Sequence, residues 1–327
     1  MKLKRVFVKN EAEPRIAVWS RGRWMPLLSV LSTDGKRLSE DLYAFISDML
    51  SILRAGKSTW KKLQKIADEF DGILPETESA AVLPFDPLSF RDFMLFEEHF
   101  IGASRGWVRC FRPWAYRLTS AYEGLFKRTF PSFRPGPFWY KNPMYYMGNH
   151  LNFITDGHPV AFPSYSKSLD YELELGAIIV HPLKDATPRE AIKAIGGFVV
   201  LNDFSARDVQ LPEMRSGFGP VKSKNFINAV SAEVVTADEI LPRINELKGE
   251  VRINGELIVQ TTTEGMQHNL GKAIAYASLS EQIHPGEFVA TGTLPGGCGM
   301  ENGRWLSPGD TVTLSIEGIG DLSNPIV

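Results

Sequence analysis

Two carboxylates stand two residues apart at Glu172 and Glu174, at the head of an apolar run that reaches Val180. Leu173, Leu175 and Ala177 to Val180 read as a strand. On a strand, residues i and i+2 point to one face, so the two glutamates project side by side. Adjacent carboxylates on a half-buried strand repel unless something offsets them. A hard divalent cation with oxygen ligands does so; Mg²⁺ or Ca²⁺ suits such donors, and Mn²⁺ takes them too. Taken alone, the pair is more often a solvated strand face. Asp203 changes the balance, because it follows the apolar run Val199–Leu201 and Asn202, where a strand ends and a polar turn opens. A carboxylate there can join a site on a neighbouring strand, and it reads equally well as a cap or turn aspartate. Lys224, in the loop that begins at Gly219-Pro220, either neutralises clustered acids and meets a developing anion or is a solvated lysine.

Positioning these groups falls to the elements around them. Short strands are expected at Arg5–Val8, Arg15–Ser20 and Trp24–Leu27. Leu42, Phe45, Ile46, Met49, Leu50 and Leu53 recur at helical spacing; Gly56 breaks that run, and Ser58 is a candidate cap for a second helix ending near Phe70. The segment Leu83-Pro84-Phe85-Asp86-Pro87 reads as a linker. It divides a small N-terminal α/β domain, residues 1–85, from a catalytic domain, residues 86–327. A helix-like segment is expected from Ser89 to Phe100. Residues 101–145 mix Arg, Trp, Tyr, Phe and Pro without a regular period. They read as a long aromatic-packed loop rather than a platform for single-stranded nucleic acid. Asn254-Gly255 marks a hairpin, and Pro188–Ala194 and Leu270–Ser278 are helical in pattern. Strands dominate after residue 150, so the class is α+β rather than a regular βαβ repeat.

The chain has 327 residues, 43% hydrophobic and 23% charged, with a formal net charge of −2. That size allows one large or two ordinary domains. The balance argues against a nucleic-acid surface in bulk. No apolar stretch is long enough for a spanning helix, and the N-terminal residues lack the apolar core of a secretory signal. Cys110 and Cys298 stand alone, which fits a reducing cytoplasm better than a disulfide framework.

The Glu172/Glu174 strand, the Asn202–Gln210 turn, the Gly219–Lys224 segment, the Asn254-Gly255 hairpin, Thr291-Gly292-Thr293 and the terminal Ile316–Pro325 occur in one order. This ordered set resembles the fumarylacetoacetate hydrolase family over residues 89–327. The resemblance implies a β-rich roll or sandwich-like catalytic domain, a bound Mg²⁺ or Ca²⁺, a homodimer, and C–C bond chemistry beside the carbonyls of small oxo acids. The pattern is most similar to the family's fumarylacetoacetase branch, in which an Asp and a His seven residues later are the fourth metal carboxylate and the general base. Asp92 and His99 stand at those positions. The resemblance further implies Glu301 as the partner of the base, and Thr293 and Tyr146 as substrate contacts. Three positions that hold the acid ends of substrate in that branch are Met94, Met214 and Val108 here.

The expected site is therefore Asp92, Glu172, Glu174 and Asp203 around a metal. His99 and Glu301 form a water-activating dyad, Lys224 and Gln210 meet the oxyanion, and Arg207 adds charge near the substrate. The first reading is a hydrolase of a fumarylacetoacetate-like or acylpyruvate-like 1,3-diketo acid. The second is a decarboxylase, hydratase or isomerase of oxo diacids on the same scaffold. The third is a non-catalytic metal-binding interaction protein.

Overall fold

Two runs, Glu172–Ile179 and Ile195–Asn202, form fully buried neighbouring strands at the centre of one large sheet. Strands covered on both sides read as continuous rather than alternating hydrophobic sequence. The computed structural model describes residues 1–32, 38–78 and 80–327. From one edge, the main path of the sheet runs Arg23–Pro26, Arg15–Ser20, Lys2–Val6, Glu233–Thr236, Ile195–Asn202, Glu172–Ile179, Glu287–Cys298, Ser89–Phe93 and Tyr145–Gly148. A second sheet, Glu256–Thr262, Lys248–Ile253, Thr311–Ile316 and Gly320–Pro325, contains the expected hairpin. Asn254 and Gly255 both take positive φ there, as the tightest two-residue turn requires. The class is α+β, as expected.

Four expectations change. Residues 1–85 do not stand apart, because Lys2–Val6 pairs with Glu233–Thr236 and extends the sheet that carries Glu172, Glu174 and Thr293. Leu53, on the helix Met49–Arg54, packs over Gly196 and Gly197 of the central strand, where a Cβ would meet it at 2.9 and 3.1 Å. No hydrogen-bonding gap follows the proline-bearing linker, since Ser89–Phe93 runs parallel to Glu287–Cys298. Second, Ser89–Phe100 is not one helix: a strand ends at Phe93, and a helix, Glu97–Phe111, starts beyond it. Third, residues 101–145 are mainly helical, with Glu97–Phe111 followed by Pro113–Phe126. The proline at 113 begins the second helix, where its missing N–H costs nothing. Ser58 lies inside the helix Gly56–Glu69, whose N-cap is Ala55.

Helix Glu97–Phe111 is held against the turn Gly299–Asn302 by two glycines on one face, Gly102 and Gly106. A Cβ at 106 would lie 1.9 Å from the carbonyl oxygen of Met300, and one at 102 would lie 2.5 Å from Glu301 Oε1. The absence of side chains is what lets backbone meet backbone there. Gly106→Ala is expected to destabilise the fold by about 1–3 kcal/mol, because the helix must lift off the turn. Chemical denaturation checks it; an unchanged midpoint would show that the contact is loose.

Candidate active site

The sheet order builds the site. Five neighbouring strands each deliver a residue to it: Asn202 leads into Asp203, then come Glu174, Thr293, Asp92 and Tyr146. Cross-strand register sets the neighbours, with Glu174 opposite Thr293 and Asp92 opposite Tyr146. Gly292 takes a positive φ in an irregular stretch of the Glu287–Cys298 strand, and a Cβ there would strike the Phe93 carbonyl at 2.3 Å. That local kink brings Thr293 Oγ1 to 3.3 Å from Glu174 Oε1.

Asp92, Glu174 and Asp203 are buried, and one oxygen of each lies within 4.8 Å of the others. Asp92 Oδ1 and Glu174 Oε2 have no hydrogen-bond partner among the described residues. Burial first, then the charges of Glu174 and Asp203, push Asp92 well above the ordinary carboxylate range. Burial, then Asp203 and Glu172, do the same to Glu174. Tyr146 donates to Asp203 Oδ2 at 2.7 Å. An all-oxygen, carboxylate-rich set with buried oxygens left unpartnered fits a hard divalent cation such as Mg²⁺, Ca²⁺ or Mn²⁺.

Glu172 is placed differently from the expected four-ligand set. Arg207 Nη2 lies 2.5 Å from its Oε1, and Lys224 Nζ contacts its Oε2. Burial would raise Glu172, but these two cations outweigh it and hold the carboxyl well below its usual value. Lys224 also donates to Asp203 at 2.6 Å, and Asp203 and Glu172 raise the ammonium against its burial. Glu172 thus fixes both cations at the edge of the acid cluster. Arg207 further reaches Asp170 at 2.7 Å and Gln210 Oε1 at 2.9 Å.

On the opposite wall, His99 Nδ1 lies 2.8 Å from Glu301 Oε2. The two residues are separated by 202 positions and are brought together by the helix–turn contact at Gly102 and Gly106. Glu301 Oε1 accepts from Gly296 N at 3.0 Å, and its Oε2 also accepts from the buried Cys298 thiol at 3.3 Å. Burial, then Glu301 and Asp170, push that thiol up, so it remains a donor. His99, Lys224, Gln210, Arg207, Glu172 and Glu174 share one cavity of about 480 Å³, which Asp92, Tyr146 and Thr293 also line.

Two features escaped the sequence reading. Asp170 is fully buried and holds Arg207 on one oxygen while accepting from Gly299 N at 2.7 Å and Met300 N at 3.0 Å. It therefore ties the cation of the acid cluster to the turn that carries Glu301. Its place two residues before Glu172, in the short strand Leu169–Asp170, was the available signal. The Gly102-x-x-x-Gly106 spacing was the other, since it marks a flat helix face.

The description "Fumarylacetoacetate (FAA) hydrolase C-terminal" matches residues 119–327. The chain belongs to the fumarylacetoacetate hydrolase family. It is 30% identical over 190 residues to the mitochondrial oxaloacetate tautomerase Fahd2a of Rattus norvegicus, a match spanning 57% of this chain and 59% of that protein. The fold is shared along the whole chain with a fumarylacetoacetate hydrolase from the psychrophilic Exiguobacterium antarcticum, at 21% identity and a TM-score of 0.66 over 100% of this chain and 99% of the other. It is shared likewise with a 5-carboxymethyl-2-hydroxymuconate delta-isomerase from Mycobacterium smegmatis, at 17% identity and a TM-score of 0.60 over 100% and 99%. Proteins named as a hydrolase and an isomerase thus share this fold, and the sequence match is to one named a tautomerase. Among the described residues, no helix is long and apolar enough to cross a membrane.

The raised Asp92 and Glu174 give a pH dependence with a definite sign. A carboxyl raised in the folded chain keeps its proton after the unfolded chain has lost it. Rising pH above the unfolded value of about 4 therefore favours unfolding of the metal-free protein. Glu172 is shifted the other way, and its window lies below that range. Metal-stripped protein is expected to melt at a lower temperature at pH 8 than at pH 5.5, and Mg²⁺ to offset most of the fall. A melting temperature that climbs over that interval without metal would contradict the assignment.

Proposed function

We propose that the protein is a divalent-metal-dependent hydrolase that cleaves a C–C bond in a 1,3-diketo acid of the acylpyruvate or fumarylacetoacetate type. The observation that carries this reading is the His99–Glu301 pair at 2.8 Å, facing a buried carboxylate cluster across one cavity. Asp92, Glu174 and Asp203, with Glu172 beside them, would hold Mg²⁺ or Ca²⁺, which supplies Lewis-acid polarisation of the carbonyls. His99 Nε2 takes a proton from water, while Nδ1–H donates to Glu301, which stabilises the imidazolium and fixes its tautomer. The resulting hydroxide adds to one carbonyl. Lys224 and the amide nitrogen of Gln210, whose Oε1 is already held by Arg207, are the donors for the oxyanion. Collapse breaks the C–C bond, and His99 returns its proton to the carbon that leaves. Thr293 and Tyr146 are assigned to substrate positioning.

A second reading has support from the 30% identity to the rat oxaloacetate tautomerase. Keto–enol interconversion needs a group that moves a proton to and from carbon, and His99 is placed to do that as well. Release of pyruvate and a carboxylic acid from a 2,4-dioxo acid separates hydrolysis from tautomer exchange without bond cleavage. The homodimer belongs to this proposal too; Trp114, Leu118 and Leu125 form an exposed apolar face on helix Pro113–Phe126 that it would cover. Sedimentation as a monomer at micromolar concentration would remove it.

His99→Ala is expected to lower turnover about 10²–10⁴-fold with metal affinity nearly unchanged. Glu301→Gln should lower it in the same direction, since the amide cannot stabilise the imidazolium charge. A wild-type rate in His99→Ala, measured as pyruvate release, would take the base role away from this residue.

A further inference from the structure

The cavity has two chemically distinct ends. The inner end is the acid cluster with its two cations. The outer wall is formed by Met94, Phe100, Ala103, Trp107, Leu211 and Met214. Ala103 and Trp107 lie on the cavity side of the helix that carries His99, and Leu211 and Met214 on that of the helix carrying Arg207 and Gln210. Both helices thus present polar groups inward and apolar groups toward the mouth.

Cations are confined to the inner end. Among the described residues, the cavity is lined by two, Arg207 and Lys224, and both are bound to Asp170, Glu172 or Asp203. The nearby arginines are engaged elsewhere. Arg105 pairs with Glu123, and Arg109 donates to the carbonyls of Met300 and Glu301. Arg112 and Arg215 stack on the Trp107 ring at 5.9 and 5.8 Å and do not line the cavity. A second carboxylate on the substrate would therefore be desolvated against methionine and aromatic surface with no lysine or arginine of the described cavity lining beside it, Ser104 being the nearby polar group. A volume of about 480 Å³ also lies within the range of about 300–1,000 Å³ that holds drug-sized ligands. Methionines at Met94 and Met214 give that wall an adaptable surface.

We propose that the substrate is a monocarboxylic 2,4-dioxo acid, R–CO–CH₂–CO–COO⁻, in which R is a bulky apolar group lying along this wall. The inference rests on the dioxo-acid reading of the inner end. The reaction is R–CO–CH₂–CO–COO⁻ + H₂O → R–COO⁻ + CH₃–CO–COO⁻ + H⁺. The C3–C4 bond breaks, its electron pair stays on C3, which takes a proton, and the hydroxyl from water remains on C4.

The test compares two acids of nearly equal shape, 2,4-dioxoheptanedioate and 7-methyl-2,4-dioxooctanoate, in which a terminal carboxylate is exchanged for an isopropyl group. Binding to the full-length Mg²⁺-loaded protein is read by stopped-flow quenching of Trp107 and Trp139, which both line the cavity. Pyruvate release is read separately. The isopropyl acid is expected to bind at least about tenfold more tightly. Equal or tighter binding of the diacid, or no quench by either, overturns the proposal. Discrimination without pyruvate release supports the apolar wall and instead removes the hydrolase reading. Met214→Arg, at a half-exposed position, should narrow the ratio by about tenfold; an unchanged ratio would overturn the placement of the tail.

Discussion

Excess buried negative charge is the constraint on which the rest of the site depends. Asp92, Asp170, Glu172, Glu174 and Asp203 are all buried within a few residues of the same strand ends, and Arg207 and Lys224 are the buried cations among them. Taking an ion out of water costs several kcal/mol even after relaxation, and it is tolerated only where partners and hydrogen bonds are well placed. The structure separates the acids by role. Asp170 and Glu172 are saturated by Arg207, Lys224 and backbone N–H groups. Asp92 and Glu174 keep oxygens with no hydrogen-bond partner among the described residues. The first pair fixes the cations, and the second has buried oxygens of the kind a hard divalent cation takes.

The same charges organise the wall opposite. Asp170 accepts from Gly299 N on Oδ1 and from Met300 N on Oδ2, and Oδ2 also accepts from Arg207, so one acid anchors the turn that presents Glu301 and holds the guanidinium. Helix Glu97–Phe111 then closes on that turn through Gly102 and Gly106 and delivers His99. His99 is thus mounted on a helix and the acid cluster on strands, with Asp170 linking the two through one guanidinium and one turn. A change at Asp170 would reach both halves at once, which a change at Thr293 or Tyr146 would not.

The local part of this was legible in the sequence. The period of two at Glu172 and Glu174, the strand end at Asp203 and the Asn254-Gly255 turn are set by residues that are neighbours in the chain. Family resemblance supplied His99 and Glu301, whose meeting no periodicity could indicate. What was missed depends on distant partners. Lys2–Val6 looks like a strand of a separate unit until Leu3 is seen opposite Val234. Ser89–Phe93 reads as the start of a helix because Phe90, Arg91, Asp92 and Phe93 are all buried, which hides the strand alternation. Arg91 is there only because Glu287 and Glu281 pair with it from the far side of the chain. Residues 101–145 looked irregular because aromatic and basic residues there pack on each other, as Arg112 does on Trp107 and Arg128 on Tyr122, and because the apolar face of helix Pro113–Phe126, with Trp114, Leu118 and Leu125, is exposed rather than turned to the core.

Under the two proposed readings, hydrolysis and tautomerisation differ, besides the C–C bond that only hydrolysis breaks, in the source of the proton that His99 would remove. In hydrolysis the proton comes from water held between the imidazole and a carbonyl, so water must have a place in the closed site. In tautomerisation it comes from carbon, and water there is a competitor. His99 lies on the helix that also presents Phe100, Ala103 and Trp107 to the cavity. A substrate tail seated on that wall would cover the mouth while leaving the polar inner end hydrated. Under the proposed hydrolysis, the apolar outer wall and the His99–Glu301 pair would be two parts of one arrangement: the tail would exclude bulk solvent, and Glu301 would orient the imidazole toward the water that stays.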